Sequence, residues 1–462
     1  MKNYIFGTGK YYSMFRDYIN LDEVISLIDN NEEKWGSIVD GKQVISAQSA
    51  DYYLCDYIII MVRNYSVIEE QLLAYGVSRD KIKNYTDIVG LLDIKANVIT
   101  DSGAIGIEEW KKGHPGKSVL VCSHDFTRTG VPVAMMNACK LLKKMHYQVL
   151  YLAIGNGSLE EDIRDCGIDY INNAELFFQS KKFYEVITSF DIFLVGSICS
   201  NKFIDWIASS GKPIVWWLHE SYDELYRTYR IKLYDNIHFY AVGKRVKRIF
   251  NQEYPSVNIQ EMMYFLPEKE NSSKLIEPSN HSRMRFAIIG TFENRKGQDI
   301  FIEAIKLINE KHRKEMMFIF AGKAVENEWS RNILKEIDGM ENAVWLNELS
   351  QKEVEKLYEE IDVLVCPSRD DPLPIVVTQA MQNGIPCIVS SEVGQSELMV
   401  NGTGGSVFES EDVEMLKDLM EQYVEEREML VKKGDEARKI FDAYFSEKIM
   451  KMNLQRIFEL YV

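Results

Sequence analysis

Short apolar runs closed by Gly, Pro or Asp alternate, three times over, with longer stretches of helical periodicity. That alternation leaves a chain few folds, because strands separated by helices pair in parallel and need helices over both sheet faces. The first series covers 1–90: strands in "NYIFGTG", "VISLIDNN" and "DYIIIMV", then the helix "SVIEEQLLAYGV". The stretch 91–116 fits neither period and reads as a connector. The second series covers 117–266, with strands in "SVLVCS", "QVLYLA", "DIFLVG", "PIVWWLH" and "HFYAVG" and a helix in "VPVAMMNACKLLKKM". The polar stretch 267–283 has linker composition. The third series covers 284–441, with strands in "MRFAIIGTF", "MMFIFAG", "AVWLNEL", "DVLVCPS" and "PCIVSS" and a helix over about 411–441. A last helix covers 442–462, with its apolar face drawn from residues 449–460. The fold class is therefore α/β: two tandem Rossmann-like domains preceded by a small Rossmann-like one.

Composition narrows the function. An apolar fraction of 46% and a charged fraction of 27% belong to a globular chain. The net charge of −16 argues against nucleic acid as a partner and against general adhesion to anionic membranes. Seven cysteines fall at 55, 122, 139, 166, 199, 366 and 387 with no paired spacing, which predicts reduced, mostly buried thiols and no metal site. The start "MKNYIFGTGK" lacks a signal-peptide core, and the longest apolar runs are far short of a membrane span. The expected location is cytoplasmic.

Tandem open α/β sheets bind ligands at the carboxyl ends of their strands. After the strand "FAIIG", the loop "TFENRKG" puts Arg295 and Lys296 before a helix, where cations and free N–H groups together suit a phosphate. By spacing alone the same turn reads equally as a solvated basic loop. In "DDPLPIVVTQAM", Pro372 and Pro374 fix φ where a helix begins, and Gly384 is its expected C-cap. Asp371 and Gln379 stand eight residues apart across this turn. They suit two hydroxyl-bearing parts of one ligand with a charged linker between, as in a sugar, a diphosphate and a ribose. Read alone, they are an N-capping acid and a surface amide.

Together, "GTFENRKGQDIFIEAI", "DVLVCPSRDDPLPIVVTQAMQNGIPCIVS" and "GQSELMVNGTGGSVF" resemble the donor-binding half of family 4 glycosyltransferases, retaining enzymes of the GT-B fold. The resemblance covers roughly 117–462. It implies an acceptor domain over 117–266, a donor-binding domain over 284–441, and a C-terminal helix over 442–462 packing back on the acceptor domain. The family's paired glutamates fall on Asp371 and Gln379. The resemblance thus implies that Asp371 meets donor-sugar hydroxyls, Gln379 the ribose, and Lys296 the diphosphate. Backbone N–H groups around Leu373, Pro374 and Ile375 would assist, and Arg295 would supply a charge that the family places where Thr291 stands. It further implies that His219 faces the donor sugar, with Gly130, Arg128 and Glu220 on the acceptor side of the cleft. His219 reads equally as a structural residue after an apolar strand, and Arg128 as a solvated one.

The function expected is retaining, metal-independent transfer from a nucleotide-diphosphate sugar, most simply UDP-linked, to a glycan, lipid-linked or protein acceptor. No cofactor is expected beyond the sugar nucleotide as co-substrate. Two rivals stay open: a catalytically impaired partner subunit, favoured by Thr291 and Gln379, and a sugar-nucleotide epimerase. The basic stretch "GKRVKRIF" (243–250) leaves open a peripheral membrane contact. In the first series, Gly7, Gly9 and Asp29 form half a dinucleotide fingerprint, with Tyr12 at the third glycine position. That domain suits either nucleotide binding or scaffolding, including homo-oligomer contacts.

Overall fold

A computed structural model describes residues 2–16, 19–62, 64–85, 97–172, 181–268 and 282–461. Most of the expected linker 267–283, and the start of the expected connector, lie outside these residues. The chain divides into two compact units, one of residues 1–214 and 234–237, the other of residues 215–233 and 238–462.

The first unit carries two sheets. A six-stranded one has the order Ile38–Val39, Lys42–Ile45, Val24–Ile28, Asn3–Phe6, Tyr57–Ile60, Ile82–Asn84. All pairs are parallel except the outermost, a hairpin between Ile38–Val39 and Lys42–Ile45. Its turn is Asp40-Gly41, both at positive φ (49° and 76°), the two-residue turn whose twist matches that of the strands. The other sheet in this unit runs Ile192–Gly196, Ser118–Ser123, Gln148–Ala153, Tyr170–Ile171, all parallel, then two antiparallel strands, Asn97–Thr100 and Gly103–Gly106. The central strand Ser118–Ser123 is buried throughout, which is why it reads as an unbroken apolar run. Residues 97–113, which match no single period in the sequence, form that hairpin and the helix Ile107–Gly113. Thr100-Asp101-Ser102-Gly103 makes the turn, and buried Trp110 anchors the helix by donating its ring N–H to Asp169 (2.7 Å).

The second unit holds a six-stranded parallel sheet in the order Ala343–Trp345, Met316–Ala321, Met284–Ile289, Val363–Cys366, Cys387–Ser390, Gly405–Phe408. Numbered along the chain, that order is 3-2-1-4-5-6, the doubly wound pattern. Its direction of winding reverses between the first and fourth strands, and ligands bind at the loops that diverge there. The core packs Phe286, Phe301, Phe318 and Phe320 under the helices. Local capping fixes those helices: Ser350 and Glu353 form a reciprocal capping box on Gln351–Glu360, and Asn327 caps Glu328–Asp338. The single helix expected over 411–441 is two, Val413–Glu425 and Met429–Tyr444. The last helix, Glu447–Tyr461, buries Met450, Leu454, Ile457 and Phe458 and stacks Tyr461 on His238, ring centroids 3.5 Å apart.

Candidate functional site

The loops after the first and fourth strands of the second unit carry the basic turn and the acid that the sequence singles out. After Met284–Ile289 the chain turns through Gly290 and Thr291 into a short 3-10 turn, Asn294–Lys296, and then enters the helix Gln298–Leu307. Gly297 joins turn to helix at φ +73°, and a Cβ there would sit 2.1 Å from the carbonyl oxygen of Pro367. Only glycine meets both demands. Wholly buried Gln298 holds the turn by donating to the Thr291 carbonyl (3.0 Å). Arg369 braces the other side: it makes a two-pronged pair with Asp299 (2.9 and 2.8 Å) and donates to the Asn294 carbonyl (2.6 Å).

These constraints aim Lys296 at Asp371. The ammonium lies 2.5 Å from Oδ2, with Asp371 6% exposed. Arg295 approaches the same oxygen at 3.9 Å while its Nε donates to Glu293 (2.8 Å). Burial pushes the neighbouring Cys366 thiol up to about 11, with the Asp371 charge adding to it, so this thiol stays protonated at neutral pH.

The strap 370–374 is not helical. Asp371 bridges in parallel to Val393, its N–H donating to the Glu392 carbonyl (3.2 Å) and its carbonyl accepting from Gly394 (3.0 Å). The helix covers Ile375–Gln382 alone, with Pro374 as its N-cap at φ −63°. Gln379 lies on this helix and Asp371 before it, so half of their separation is extended chain. The free N–H groups of that helix's first turn belong to Ile375 and the residues after it. Leu373 and Pro374 are buried beneath them, and buried Gln395 ties the Pro374 carbonyl (2.9 Å) to the Thr378 hydroxyl (3.0 Å). Gln379 is half-buried beside the Tyr358 hydroxyl (3.2 Å), which also lies 3.0 Å from the Val376 carbonyl. A phenol has one proton to give. The Val376 carbonyl and Gln379 Oε1 are therefore alternative acceptors for it.

His219 is 8% exposed, at the end of the strand Ile214–Leu218 in the same unit, its ring 4.6 Å from that of Trp217. Its backbone N–H donates to the Glu220 carboxylate (3.1 Å), and the Glu220 carbonyl accepts from the Tyr226 hydroxyl (2.8 Å). Arg128 and Gly130 belong to the first unit. Arg128 is paired with Asp162 (2.7 Å), and Gly130 opens the helix Gly130–Lys144 with free space around its α-carbon. Among the described residues no three His, Cys, Asp or Glu side chains gather as a metal site would require, and no helix is long and apolar enough to cross a membrane. The basic stretch forms the helix Lys244–Glu253, and its cations face carboxylates: Arg245 faces Asp370 and Glu392, Lys247 faces Glu261, and Arg248 faces Glu397.

The half fingerprint of the first domain closes on itself. The Asp29 carboxylate accepts from the Thr8 N–H (3.0 Å), the Thr8 hydroxyl (2.5 Å), the Asn31 N–H (2.9 Å) and Lys34 (2.9 Å). Burial alone would raise this acid, but those four donors overcome it and hold the carboxyl at about 2, against 3.8 unperturbed. A folded-state value below the unfolded one stabilises at neutral pH, and the gain is lost as pH falls through the folded value. The wild-type protein should therefore lose about 2 kcal/mol between roughly pH 4 and pH 2 that an Asp29→Asn variant does not lose. Denaturation midpoints of both proteins, followed down in pH, measure the difference; parallel curves would refute it.

Comparison with known proteins agrees with this fold. The family model of glycosyl transferases group 1 matches residues 269–440, that of glycosyl-transferase family 4 matches 115–244, and one described as C2185-like, N-terminal, matches 1–83. Spore coat protein SA of Bacillus subtilis (strain 168) is 26% identical over 190 residues, 39% of this chain and 49% of that protein. The UDP-Gal:alpha-D-GlcNAc-diphosphoundecaprenol alpha-1,3-galactosyltransferase of Escherichia coli is 22% identical over 179 residues, 38% of this chain and 45% of that protein. The chain thus spans about half the length, or less, of the curated relatives it matches. Among solved structures, Anabaena HepE in complex with UDP and glucose is similar with a TM-score of 0.61 and 14% identity, over 74% of this chain and 100% of its own. Sucrose-phosphate synthase of Thermosynechococcus elongatus gives 0.60 and 12%, over 74% and 99%. Identity this low speaks for the fold alone, and the fold is the one the sheet order describes. The chain has the GT-B fold with an added α/β domain at its N-terminus, and its residues 269–440 match the model of the group 1 glycosyltransferases.

Proposed function

We propose that the protein is a retaining glycosyltransferase that moves a sugar from a nucleotide-diphosphate donor, UDP-linked, to a glycan, lipid-linked or protein acceptor in cytoplasmic glycoconjugate or polysaccharide assembly. The observation that carries this reading is the meeting of Lys296, Arg295 and Asp371 at the sheet's switch point, beside a helix N-terminus. HepE, of the same fold, binds UDP and glucose, which supports the nucleotide.

In this reading the diphosphate rests on Lys296, Arg295 and the first N–H groups of Ile375–Gln382, Asp371 accepts from sugar hydroxyls, Gln379 from the ribose, and His219 faces the sugar. Thr291 lines the turn, and Gly130, Arg128 and Glu220 serve the acceptor. As the bond from the sugar's anomeric carbon to the phosphate oxygen breaks, that oxygen keeps the electron pair. The acceptor hydroxyl forms the new bond on the same face and yields its proton to the departing phosphate. The dominant requirement is stabilisation of the charge growing on the leaving oxygens, and fixed donors in a partly dry site meet it. We assign that work to Lys296 and the helix rather than to a metal or a covalent intermediate.

A second reading, a partner subunit with an impaired donor site, draws on Glu293. Its carboxylate holds Arg295 and brings negative charge to the turn where a diphosphate would lie. Titration of the purified protein with UDP, GDP, ADP and NAD, repeated on Lys296→Ala, separates the two. One nucleotide diphosphate should bind, and the substitution should weaken it by more than about tenfold, some 1.4 kcal/mol. Binding that ignores the substitution would move the nucleotide elsewhere, and no binding at millimolar ligand would favour the partner subunit.

A further inference from the structure

Next to Asp371 stands a second acid, Asp370, to which the donor motif gives no role. One of its carboxylate oxygens accepts from the Ser221 hydroxyl (2.8 Å), and the other accepts from Arg245 Nε (3.1 Å) and Nη2 (2.8 Å). The remaining arm of the same guanidinium, Nη1, pairs with Glu392 at 2.6 Å. Arg245 and Asp370 are largely withdrawn from water, with side chains 15% and 18% exposed. Their pairing therefore escapes most of the screening that makes surface salt bridges weak.

What the guanidinium grips matters more than its strength. Asp370 precedes Asp371 in the chain, and Glu392 is the residue whose carbonyl receives the Asp371 N–H. Arg245 thus holds the backbone of Asp371 from both sides, once through the peptide link and once through the bridge to the neighbouring strap. Through Ser221 the same acid also holds the chain two residues beyond His219. Two carboxylates converging on one point repel unless a cation stands between them, and a planar fork with donors pointing in two directions satisfies both. A lysine offers one point charge and satisfies one.

We propose that Arg245 is a positioning residue for the transfer reaction: it touches no substrate, and it sets the Asp371 carboxylate and the His219 loop in register. This inference rests on the proposed glycosyl transfer for its kinetic part and on geometry alone for its structural part.

The experiment compares wild type with Arg245→Met and Arg245→Lys by two readouts. The first is hydrogen exchange by mass spectrometry over peptides covering 368–375 and 391–396, with the helix Gln298–Leu307 as internal control. Arg245→Met should speed exchange at both straps and leave the control helix unchanged; unchanged exchange at the straps, or faster exchange everywhere, would overturn the proposal. The second is steady-state transfer from UDP-sugar alongside UDP titration. Because the diphosphate rests on Lys296, UDP affinity should stay within about threefold of wild type. A carboxylate displaced by about an ångström should lower kcat by tenfold or more, with Arg245→Lys recovering part of the loss. Equal losses in UDP affinity and kcat would make Arg245 a general prop or a phosphate ligand and would also overturn the proposal. If wild type binds no nucleotide, the reading of glycosyl transfer fails, and the exchange data still decide the positioning role.

Discussion

Asp371→Asn is expected to separate binding from turnover. The substitution preserves volume and removes the charge that now occupies the Lys296 ammonium at 2.5 Å. A diphosphate that uses this ammonium must share it with the carboxylate, so the variant should bind UDP as tightly as wild type or more tightly. Transfer should fall by about 10²–10³, the usual cost of one misplaced electrostatic contact to a reacting centre. Opposite movements of the two quantities are hard to obtain from general damage to the fold. A parallel loss of UDP affinity and rate would instead place Asp371 among the phosphate-side groups and overturn its assignment to the sugar.

The second large effect belongs to Gly297. Alanine there faces two penalties: the left-handed backbone, worth about 1–2 kcal/mol, and a Cβ driven into the Pro367 carbonyl, worth about 1–3 kcal/mol. Together they should destabilise the second unit by about 3 kcal/mol, or roughly 6–12 °C in its melting transition. Gly41 provides the control, since it shares the positive φ (+76°) but has nothing within 4 Å of a Cβ, and Gly41→Ala should cost only the backbone share. Gly297→Asn is a further control: asparagine tolerates the left-handed region but keeps the clash, so it should recover little. Near-equal melting for Gly297→Ala and Gly41→Ala would refute the steric argument.

The fold was largely legible in the sequence, because parallel strands buried on both faces must be apolar throughout and their helices amphipathic. "SVLVCS", "DVLVCPS" and "PCIVSS" announce themselves for that reason. The hairpin over 97–106 was missed because its strands lie on an edge and carry no long apolar run, although "TDSG" is a turn signal. The split at 426–428 was missed because Glu, Arg and Glu are all good helix formers, so nothing local marks the break. At the site, Lys296 stands in one motif and Asp371 and Gln379 in another, and the family resemblance lets the two motifs be read together. Ser221, Arg245, Asp370, Glu392 and Tyr358 could not, since their contacts belong to no motif that the resemblance covers. Two weak signals did exist: the doubled acid before Pro372, and a cluster of cations in "GKRVKRIF" on a chain of net charge −16. A basic cluster on an acidic protein is as readily a partner for the protein's own carboxylates as a foot for a membrane.

The bond from Ser221 to Asp370 joins residues 149 apart and that from Arg245 to the same acid joins residues 125 apart, whereas the donor-family match begins only at 269. Excising the donor half at that family boundary would leave the sheet, Lys296 and Asp371 intact on one polypeptide, yet strand Asp370 and Glu392 without their shared cation. Two unneutralised carboxylates would then repel each other on either side of the Asp371 backbone. Evolutionary module and physical support therefore have different borders in this chain, and shuffling the module between proteins would carry the fold across while leaving behind part of what holds Asp371 in place.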